Sequence, residues 1–151
     1  MIRIRWETDY GLILLGHLVR RASDGTIRTA REVAEWSGLP LPMVSKILKT
    51  LAREGILLSH RGVKGGYSLA QAPDQVTLAE VIQALEGPIG ITECASRPGI
   101  CDKESGCPLR VNWVRISGAF LETLERIPLS EMYELPPPTL LHIDDAGRKA
   151  S

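Results

Sequence analysis

The sequence predicts a mainly α-helical fold with one small β-hairpin. Several stretches repeat apolar residues at helical spacing, and two of them begin with a Thr-x-x-Glu capping box, at Thr29–Glu32 and Thr77–Glu80. Between these boxes, two short runs that favour strands flank a glycine-rich hexapeptide. A chain of 151 residues has room for one such domain and a helical extension.

Three helices are expected in the first half of the chain, at about residues 9–20, 30–37 and 42–54. Thr8 or Asp9 is the expected cap of the first, because short polar side chains accept hydrogen bonds from free amide groups. The third helix has one apolar face, formed by Val44, Ile47, Leu48 and Leu51. Its other faces carry Met43, Ser45, Lys46, Lys49 and Arg53.

A β-hairpin is expected after the third helix, with strands at about 56–60 and 67–70 and a flexible basic tip at 61–66. Two helices joined at a tight corner and followed by a hairpin make a winged helix-turn-helix, whose second helix enters the major groove of DNA. We expect Arg61 to enter the minor groove, where negative potential is focused. The residues predicted to contact DNA are Ser45, Lys46, Lys49, Arg61 and Lys64.

The second half predicts a helix opened by Thr77, an irregular loop and a long helix at about 108–127. The long helix has two apolar stripes, Trp113, Ile116, Phe120 and Ile127 in one and Val111, Val114, Leu121 and Leu124 in the other. We expect one stripe to meet the parent domain and the other a second chain. The expected organisation is a winged helix-turn-helix domain at 1–87, a cysteine loop at 88–107, a dimerisation helix with its end at 108–134 and a disordered tail at 135–151.

Charge and hydropathy narrow the class of protein. Residues 1–64 carry 11 Lys/Arg and 6 Asp/Glu, a net charge of +5, and the remainder carries 7 and 12. A basic first half indicates a polyanionic partner such as DNA. No apolar run approaches the roughly 20 residues needed to span a bilayer, and we expect a cytoplasmic protein. No nucleophile–base pair is evident, so an enzyme is not expected.

The three cysteines, Cys94, Cys101 and Cys107, fall within 14 residues. An odd number of thiols cannot pair fully within one chain, and cytoplasmic thiols stay reduced. Thiolates are soft ligands of iron–sulfur clusters and zinc. Zinc usually takes tight cysteine pairs, which this loop lacks, so an iron–sulfur cluster is favoured over zinc or free redox thiols. For a further ligand the sequence offers carboxylates at Asp9, Glu93, Asp102 and Glu104.

Several of these segments together resemble the IscR/NsrR group of the Rrf family of winged-helix regulators. The resemblance runs from about residue 1 to 134 and rests on Leu48–Leu51, Gly55–Leu57, Arg61–Leu69 and Thr77–Ile82, followed by the three-cysteine loop. Within that group, Leu41–Leu48 and Glu86–Ile89 are most similar to regulators of SUF-type iron–sulfur cluster assembly.

The resemblance implies a homodimeric repressor that binds a double-stranded operator and senses an iron–sulfur cluster. It implies ligation by Cys94, Cys101 and Cys107 and DNA contacts from Ser45, Lys46 and Arg61. IscR-like members complete a 2Fe–2S site with a histidine where this chain has Arg110. Asp9 instead matches the aspartate that completes the NsrR-like site across the dimer, and the first cysteine gap is six residues, not five. The resemblance is therefore compatible with either a 2Fe–2S or a 4Fe–4S cluster.

Two alternative functions are each compatible with part of the sequence evidence. One is a winged-helix repressor that senses nitric oxide or oxidants through the cluster or the thiols, or that binds zinc. The other is a ferredoxin-like electron carrier, which needs neither a recognition helix nor a basic wing.

Overall fold

The computed structural model of the chain describes residues 3–21 and 25–134. Its α-helices and strands in that part are α1 (Trp6–Arg21), α2 (Ala30–Ser37), α3 (Leu41–Arg53), β1 (Leu57–His60), β2 (Gly66–Leu69), α4 (Leu78–Glu86), α5 (Glu93–Ser96) and α6 (Arg110–Glu125). Short 3₁₀ turns lie at Glu104–Gly106 and Leu129–Tyr133. The predicted turn at 23–25 lies partly, and the predicted disordered tail wholly, outside the described residues. None of the described helices has the length and apolar character to cross a membrane.

The first helix begins earlier than predicted. α1 starts at Trp6, and the backbone amides of Thr8 and Asp9 both donate to the carbonyl oxygen of Arg5, at 3.0 and 3.2 Å. Thr8 is fully buried in the first turn and Asp9 is exposed. Neither side chain caps the helix, so the predicted cap is wrong. The Arg5 carbonyl starts the helix, and burial of Thr8 draws the first turn into the core.

Both predicted capping boxes are confirmed. The Glu32 amide donates to the Thr29 hydroxyl at 3.2 Å, while the Glu32 carboxylate accepts from the Thr29 amide at 2.7 Å. Thr77 and Glu80 repeat this arrangement at the start of α4. Hydrogen bonding from the Thr29 amide and hydroxyl lowers the pKa of Glu32. These reciprocal bonds satisfy amides that have no partner within the helix.

The winged helix-turn-helix has one continuous core. The predicted apolar face of α3 is confirmed, since its four residues are all buried. The fully buried apolar side chains of the core are Leu14, Leu15, Leu18, Val33, Val44, Leu48, Leu51, Leu57, Val81 and Leu129. Burying a side chain of this size contributes about 1.5–3 kcal/mol relative to exposure. The relative positions of α1, α2, α3 and α4 are therefore set by packing.

The hairpin pairs β1 with β2 antiparallel, with Leu57 opposite Leu69 and His60 opposite Gly66. The connection between α1 and α2 pairs with β2 through an isolated antiparallel β-bridge, which the sequence did not indicate. Arg28 and Tyr67 exchange backbone hydrogen bonds of 2.8 and 2.7 Å. The connection is thereby joined to the hairpin close to its tip, one residue from the His60–Gly66 pair.

α6 packs on α4 through a second apolar cluster, and the predicted division into two stripes is wrong. Leu121 and Leu124 pack on the domain side together with Phe120 and Ile127, whereas Ile116 is 42% exposed. The cause is the anchoring of α6 at its C-terminal end. The Leu78 amide donates to the Ile127 carbonyl, and the Leu129 amide to the Val76 carbonyl, at 2.8 and 2.7 Å. Contact with α4 is consequently made by the C-terminal half of α6.

Candidate DNA interface and cysteine loop

α3 presents polar residues on the side away from its buried face. Lys46 and Lys49 are exposed and Ser45 is half-buried. Pro40 and Pro42 form the stiff corner at the start of α3. Since the buried face holds the helix against the domain, the outer face is free to enter a major groove about 12 Å wide.

Lys46 already has a partner within the chain. Its ammonium nitrogen lies 2.6 Å from Oε1 of Glu7 in the first turn of α1. The Lys46 side chain is nevertheless 69% exposed. Exposed ion pairs contribute only about 0–1 kcal/mol, so DNA phosphate can compete with Glu7 for this lysine. The sequence did not reveal this pair, because the two residues lie 39 positions apart.

The tip of the wing is a compact, cationic turn. Arg61, Val63 and Lys64 are exposed. Gly62 has a φ of 101°, in the left-handed region that favours glycine. A methyl carbon at Gly65 would lie 2.5 Å from the His60 carbonyl oxygen, so a side chain does not fit there. The glycines therefore allow a tight tip that projects two cations away from the domain.

Two further arginines lie over one aromatic ring. The guanidinium carbons of Arg21 and Arg28 lie 4.7 and 5.4 Å from the centre of the Trp36 ring. Arg28 also donates to the Arg21 carbonyl oxygen at 3.2 Å and pairs with Glu32 at 3.6 Å. Cation–π contacts of this kind hold α1, α2 and their connection together. No local spacing in the sequence indicates this cluster.

The three cysteines are unpaired and differ in exposure. Cys94 lies in α5 with its sulfur 3.3 Å from the Thr92 hydroxyl, and Cys107 lies two residues before the cap of α6. Both are half-buried, whereas Cys101 is exposed. Across residues 3–21 and 25–134, no three His, Cys, Asp or Glu side chains are close enough together to hold a metal ion. The loop therefore contains three potential sulfur ligands, but in the described structure they do not form a metal-binding group.

Asp9, the predicted fourth ligand, lies on another surface of the chain. It lines a groove of about 320 Å³ on the exposed face of α1, beside His17, Arg20 and Tyr133. None of the three cysteines lines this groove. Burial, and then the charges of the two neighbouring arginines at the end of α1, lower the pKa of His17. Within one chain, Asp9 is not brought to the loop.

A carboxylate–guanidinium pair closes the second half of the cysteine loop. Arg110 donates to Oε1 of Glu104 through Nε and Nη2, at 2.9 and 2.7 Å. The other carboxylate oxygen accepts from the Gly99 amide at 2.6 Å. Glu104, one of the predicted ligand candidates, thus joins a residue before Cys101 to a residue after Cys107. Glu93 and Asp102, the other two loop carboxylates considered, are exposed.

The donor set suits an iron–sulfur cluster chemically. Three free thiols lie within one short segment, and thiolates are the usual ligands of such clusters. The loop is also joined to the domain, because the Ile91 amide donates to the buried Ser117 hydroxyl of α6 at 3.0 Å. Cys94, Cys101 and Cys107 would hold such a cluster, which would supply a redox-sensitive link between segments of the loop.

A winged helix-turn-helix with a basic recognition helix and wing defines a class of DNA-binding transcriptional regulators. The family model described as Rrf2, iron-dependent transcriptional regulator, matches residues 4–135. The chain belongs to the Rrf2 family. Its relatives are transcriptional regulators rather than enzymes, and regulators of this family bind DNA.

Individual relatives span nearly the whole chain. An rrf2-like helix-turn-helix regulator of Rhodobacter capsulatus is 30% identical, over 89% of this chain and 92% of its own length. The regulator IscR of Erwinia tasmaniensis is 25% identical, over 87% of this chain and 78% of its own length. The structure of CymR, the global cysteine regulator of Bacillus subtilis, superposes with a TM-score of 0.66 at 27% identity, covering 88% of this chain and 97% of CymR. The predicted fold class and family are confirmed.

Proposed function

We propose that this chain is a transcriptional repressor whose affinity for its operator is set by an iron–sulfur cluster on Cys94, Cys101 and Cys107. The observation that carries the proposal is the joining of two features in one chain: a preformed DNA-contacting domain and a loop with three free thiols. The resemblance to regulators of SUF-type cluster assembly makes those genes the proposed targets. The proposed location is the cytoplasm, where such thiols stay reduced.

A homodimer through α6 is part of this proposal. Val111 and Val114 are 76% and 45% exposed on the N-terminal half of α6, and nothing lies within 4 Å of the Cβ position of Gly118. These three residues are spaced three and four positions apart and therefore lie on one side of α6. An apolar face with a small residue suits close packing of a second helix. The separation of Asp9 from the cysteines of its own chain also fits a ligand supplied across the dimer.

On DNA, we assign Ser45, Lys46 and Lys49 to the major groove and its phosphates, and Arg61 and Lys64 to the wing contact. The four cations are exposed, and the only ion pair among them in the described residues is the one between Lys46 and Glu7. Two such domains in a dimer meet half-sites one helical turn apart.

Control by the cluster follows from the position of the loop. α5 packs on α6, and α6 packs on α4 of the DNA-binding domain. A cluster that draws the three cysteines together changes how the loop sits on α6, and so biases the separation of the two recognition helices. The free-energy change in DNA binding equals the difference between the cluster's stabilisation of the DNA-binding separation of the recognition helices and its stabilisation of the other separation. We propose that the cluster-bound form binds the operator more tightly.

The test is purification without oxygen, followed by absorption spectra and iron and sulfide counts per chain. Wild-type protein is expected to be brown, and Cys94→Ala, Cys101→Ala and Cys107→Ala to be colourless. Asp9→Ala is expected to lose or destabilise the cluster, whereas Asp74→Ala, at an exposed aspartate outside the cysteine loop, serves as the matched control. Colourless wild-type protein with zinc or with idle thiols would overturn cluster sensing and favour a thiol- or zinc-dependent repressor.

DNA binding is tested separately by gel-shift titration of cluster-bound and cluster-free protein. Arg61→Ala is expected to weaken operator binding severalfold, while Arg126→Ala, at an exposed arginine just after α6, is expected to leave it unchanged. Equal affinity of the two protein forms contradicts the switch. A sequence-specific footprint excludes the electron-carrier alternative, and unchanged binding by Arg61→Ala contradicts the wing assignment.

A further inference from the structure

A cavity of about 400 Å³ lies between the N-terminal segment at residues 3–5, the helices α4 and α6, and the beginning of the cysteine loop. Ligand pockets in proteins commonly measure roughly 300–1,000 Å³. This cavity is separate from the DNA-contacting surface, because none of the residues assigned to DNA lines it. It also contains none of the three cysteines, although Cys94 and Cys101 lie in the segment that forms one wall.

The floor of the cavity is apolar. Leu78, Ile82 and Leu124 are less than 9% exposed, and they form this floor together with Phe120. These residues belong to the cluster that joins α4 to α6. The floor is therefore rigid and suits a hydrocarbon chain or an aromatic ring.

The rim of the cavity is cationic. Arg97 extends from the loop over the end of α4, since a methyl carbon at Gly87 would lie 3.5 Å from its Nη2. Within the described part of the chain, the Arg97 side chain makes no ion pair or hydrogen bond. The other charged residues of the lining are Arg3, Arg5, Glu86 and Glu93. Glu86 is already engaged, because its carboxylate accepts the Arg5 amide at 2.8 Å.

We propose that this cavity binds a small amphipathic monocarboxylate, with its apolar part on the floor and its carboxylate on the Arg97 guanidinium. The Arg97 guanidinium, which has no ion-pair partner among the described residues, matches one negative charge, which favours a single carboxylate over a dianion. A guanidinium recognises a carboxylate through two parallel hydrogen bonds.

Such a ligand is placed to act as an effector. One wall of the cavity is formed by residues of the cysteine loop, and the apolar floor by α4 and α6. The loop residues are Pro88, Ile89, Ser96, Arg97 and Ile100. A bound carboxylate therefore cross-links the loop to the domain that contacts DNA. This second step rests on the proposed function, whereas binding itself does not. By linkage, a ligand that stabilises the loop in its cluster-bound arrangement is bound more tightly when the cluster is present.

The test uses the full chain without a cluster, so that its outcome is independent of cluster sensing. Calorimetric titration compares 3-phenylpropanoate with 3-phenylpropanamide, 3-phenylpropylamine and acetate. The phenylpropanoate is expected to bind with a submillimolar Kd and to raise the melting temperature. The amide and the amine, which lack the negative charge, and acetate, which lacks the apolar part, are each expected to bind at least about tenfold more weakly.

Two variants assign the site. Arg97→Gln is expected to reduce the affinity for 3-phenylpropanoate at least about tenfold, because it removes a charge-assisted hydrogen-bond pair. Arg115→Gln changes a comparable arginine outside the cavity and is expected to bind like wild type. Ile100→Glu, at the half-exposed rim, is expected to repel the carboxylate. Melting curves without ligand establish that each variant is folded.

The proposal is overturned if no carboxylate binds more tightly than about 1 mM. It is also overturned if the amide binds as well as the acid, or if Arg97→Gln binds like wild type. Cluster counts on the same preparations report separately on the proposed function, so the failure of one leaves the other standing.

Discussion

The winged helix-turn-helix and the cysteine loop are held in place by different forces. In the winged domain, both capping boxes are complete and side chains such as Leu48 and Val81 are fully buried. In the loop, α5 has four residues and Thr92 at its N-cap makes no capping hydrogen bond. No residue of the described loop helices is buried. Polar contacts, chiefly those of Glu104, hold this loop together.

The difference indicates where each part obtains its stability. Apolar burial fixes the DNA-contacting domain whatever is bound, so its geometry is complete in a single chain. The loop buries little apolar surface, so its own conformation is weakly stabilised. A ligand that binds one conformation of the loop therefore adds its binding free energy to the stability of that conformation. A rigid domain joined to a weakly fixed loop allows a ligand to change the loop without changing the fold of the domain.

The largest contrast is expected between core and loop truncations. Leu48→Ala removes a fully buried side chain from α3 and is expected to lower the free energy of unfolding by about 2–5 kcal/mol. Cys101→Ser changes an exposed side chain and is expected to stay within about 0.5 kcal/mol. Urea denaturation of cluster-free protein measures both. Comparable losses would contradict the difference between the regions.

The next effect concerns the pair that closes the loop. Arg110→Ala leaves the largely buried Glu104 carboxylate with only the Gly99 amide, and charged hydrogen bonds of this kind contribute about 1.5–3 kcal/mol. We expect faster proteolysis at 97–107, while urea denaturation of the winged domain changes little. Arg126→Ala, at an exposed arginine beyond α6, is the control. Unchanged proteolysis would show that the pair does not hold the loop.

A smaller contrast separates the two kinds of helix start. Thr29→Ala breaks a capping box and is expected to cost about 1 kcal/mol of stability. Thr92→Ala, at an N-cap that makes no such bond, is expected to cost less than about 0.5 kcal/mol. Thermal melting of the two variants beside wild type is sufficient. Equal losses would mean that Thr92 stabilises the loop by other contacts.

The same difference explains what the sequence could predict. Spacing within one helix revealed the buried face of α3, and a local motif revealed both caps, because these depend on residues three to seven positions apart. The ion pair of Lys46 with Glu7 and the β-bridge between Arg28 and Tyr67 join distant segments, which no local pattern encodes. The division of α6 into two faces failed for a related reason, since a backbone bond from Leu78 decides which half of the helix meets α4.

The candidate site was predictable in its chemistry but not in its arrangement. Residue type and clustering singled out the three thiols, and helical periodicity left Lys46 and Lys49 on the outer face of α3. Where Asp9 lies relative to those thiols depends on the packing of α1 and, in the proposed dimer, on contacts between chains, neither of which a local sequence pattern encodes. The pairing of Glu104 with Arg110 likewise became visible only once the loop was folded.

The smallest expected effect tests the face of α1 that carries Asp9. The pKa of His17 is lowered below 6.5 by burial and by the neighbouring Arg21 and Arg20, so the folded chain binds a proton less readily than the unfolded chain. As pH falls through 6.5, the unfolded state is protonated first, and stability is lost until the folded pKa is also passed.

His17→Gln removes this contribution, and its free energy of unfolding should fall less than that of wild type between about pH 7.5 and 5.5. The comparison with wild type isolates His17, since every other titrating group is shared. Parallel curves for the two proteins would contradict the burial of His17. A steeper curve for the variant would mean that a carboxylate, such as Asp9 in the same groove, holds the histidine in its charged form. That result would also bear on the proposed role of Asp9 as a ligand, because a carboxylate paired with His17 is less free to bind a cluster in the proposed dimer.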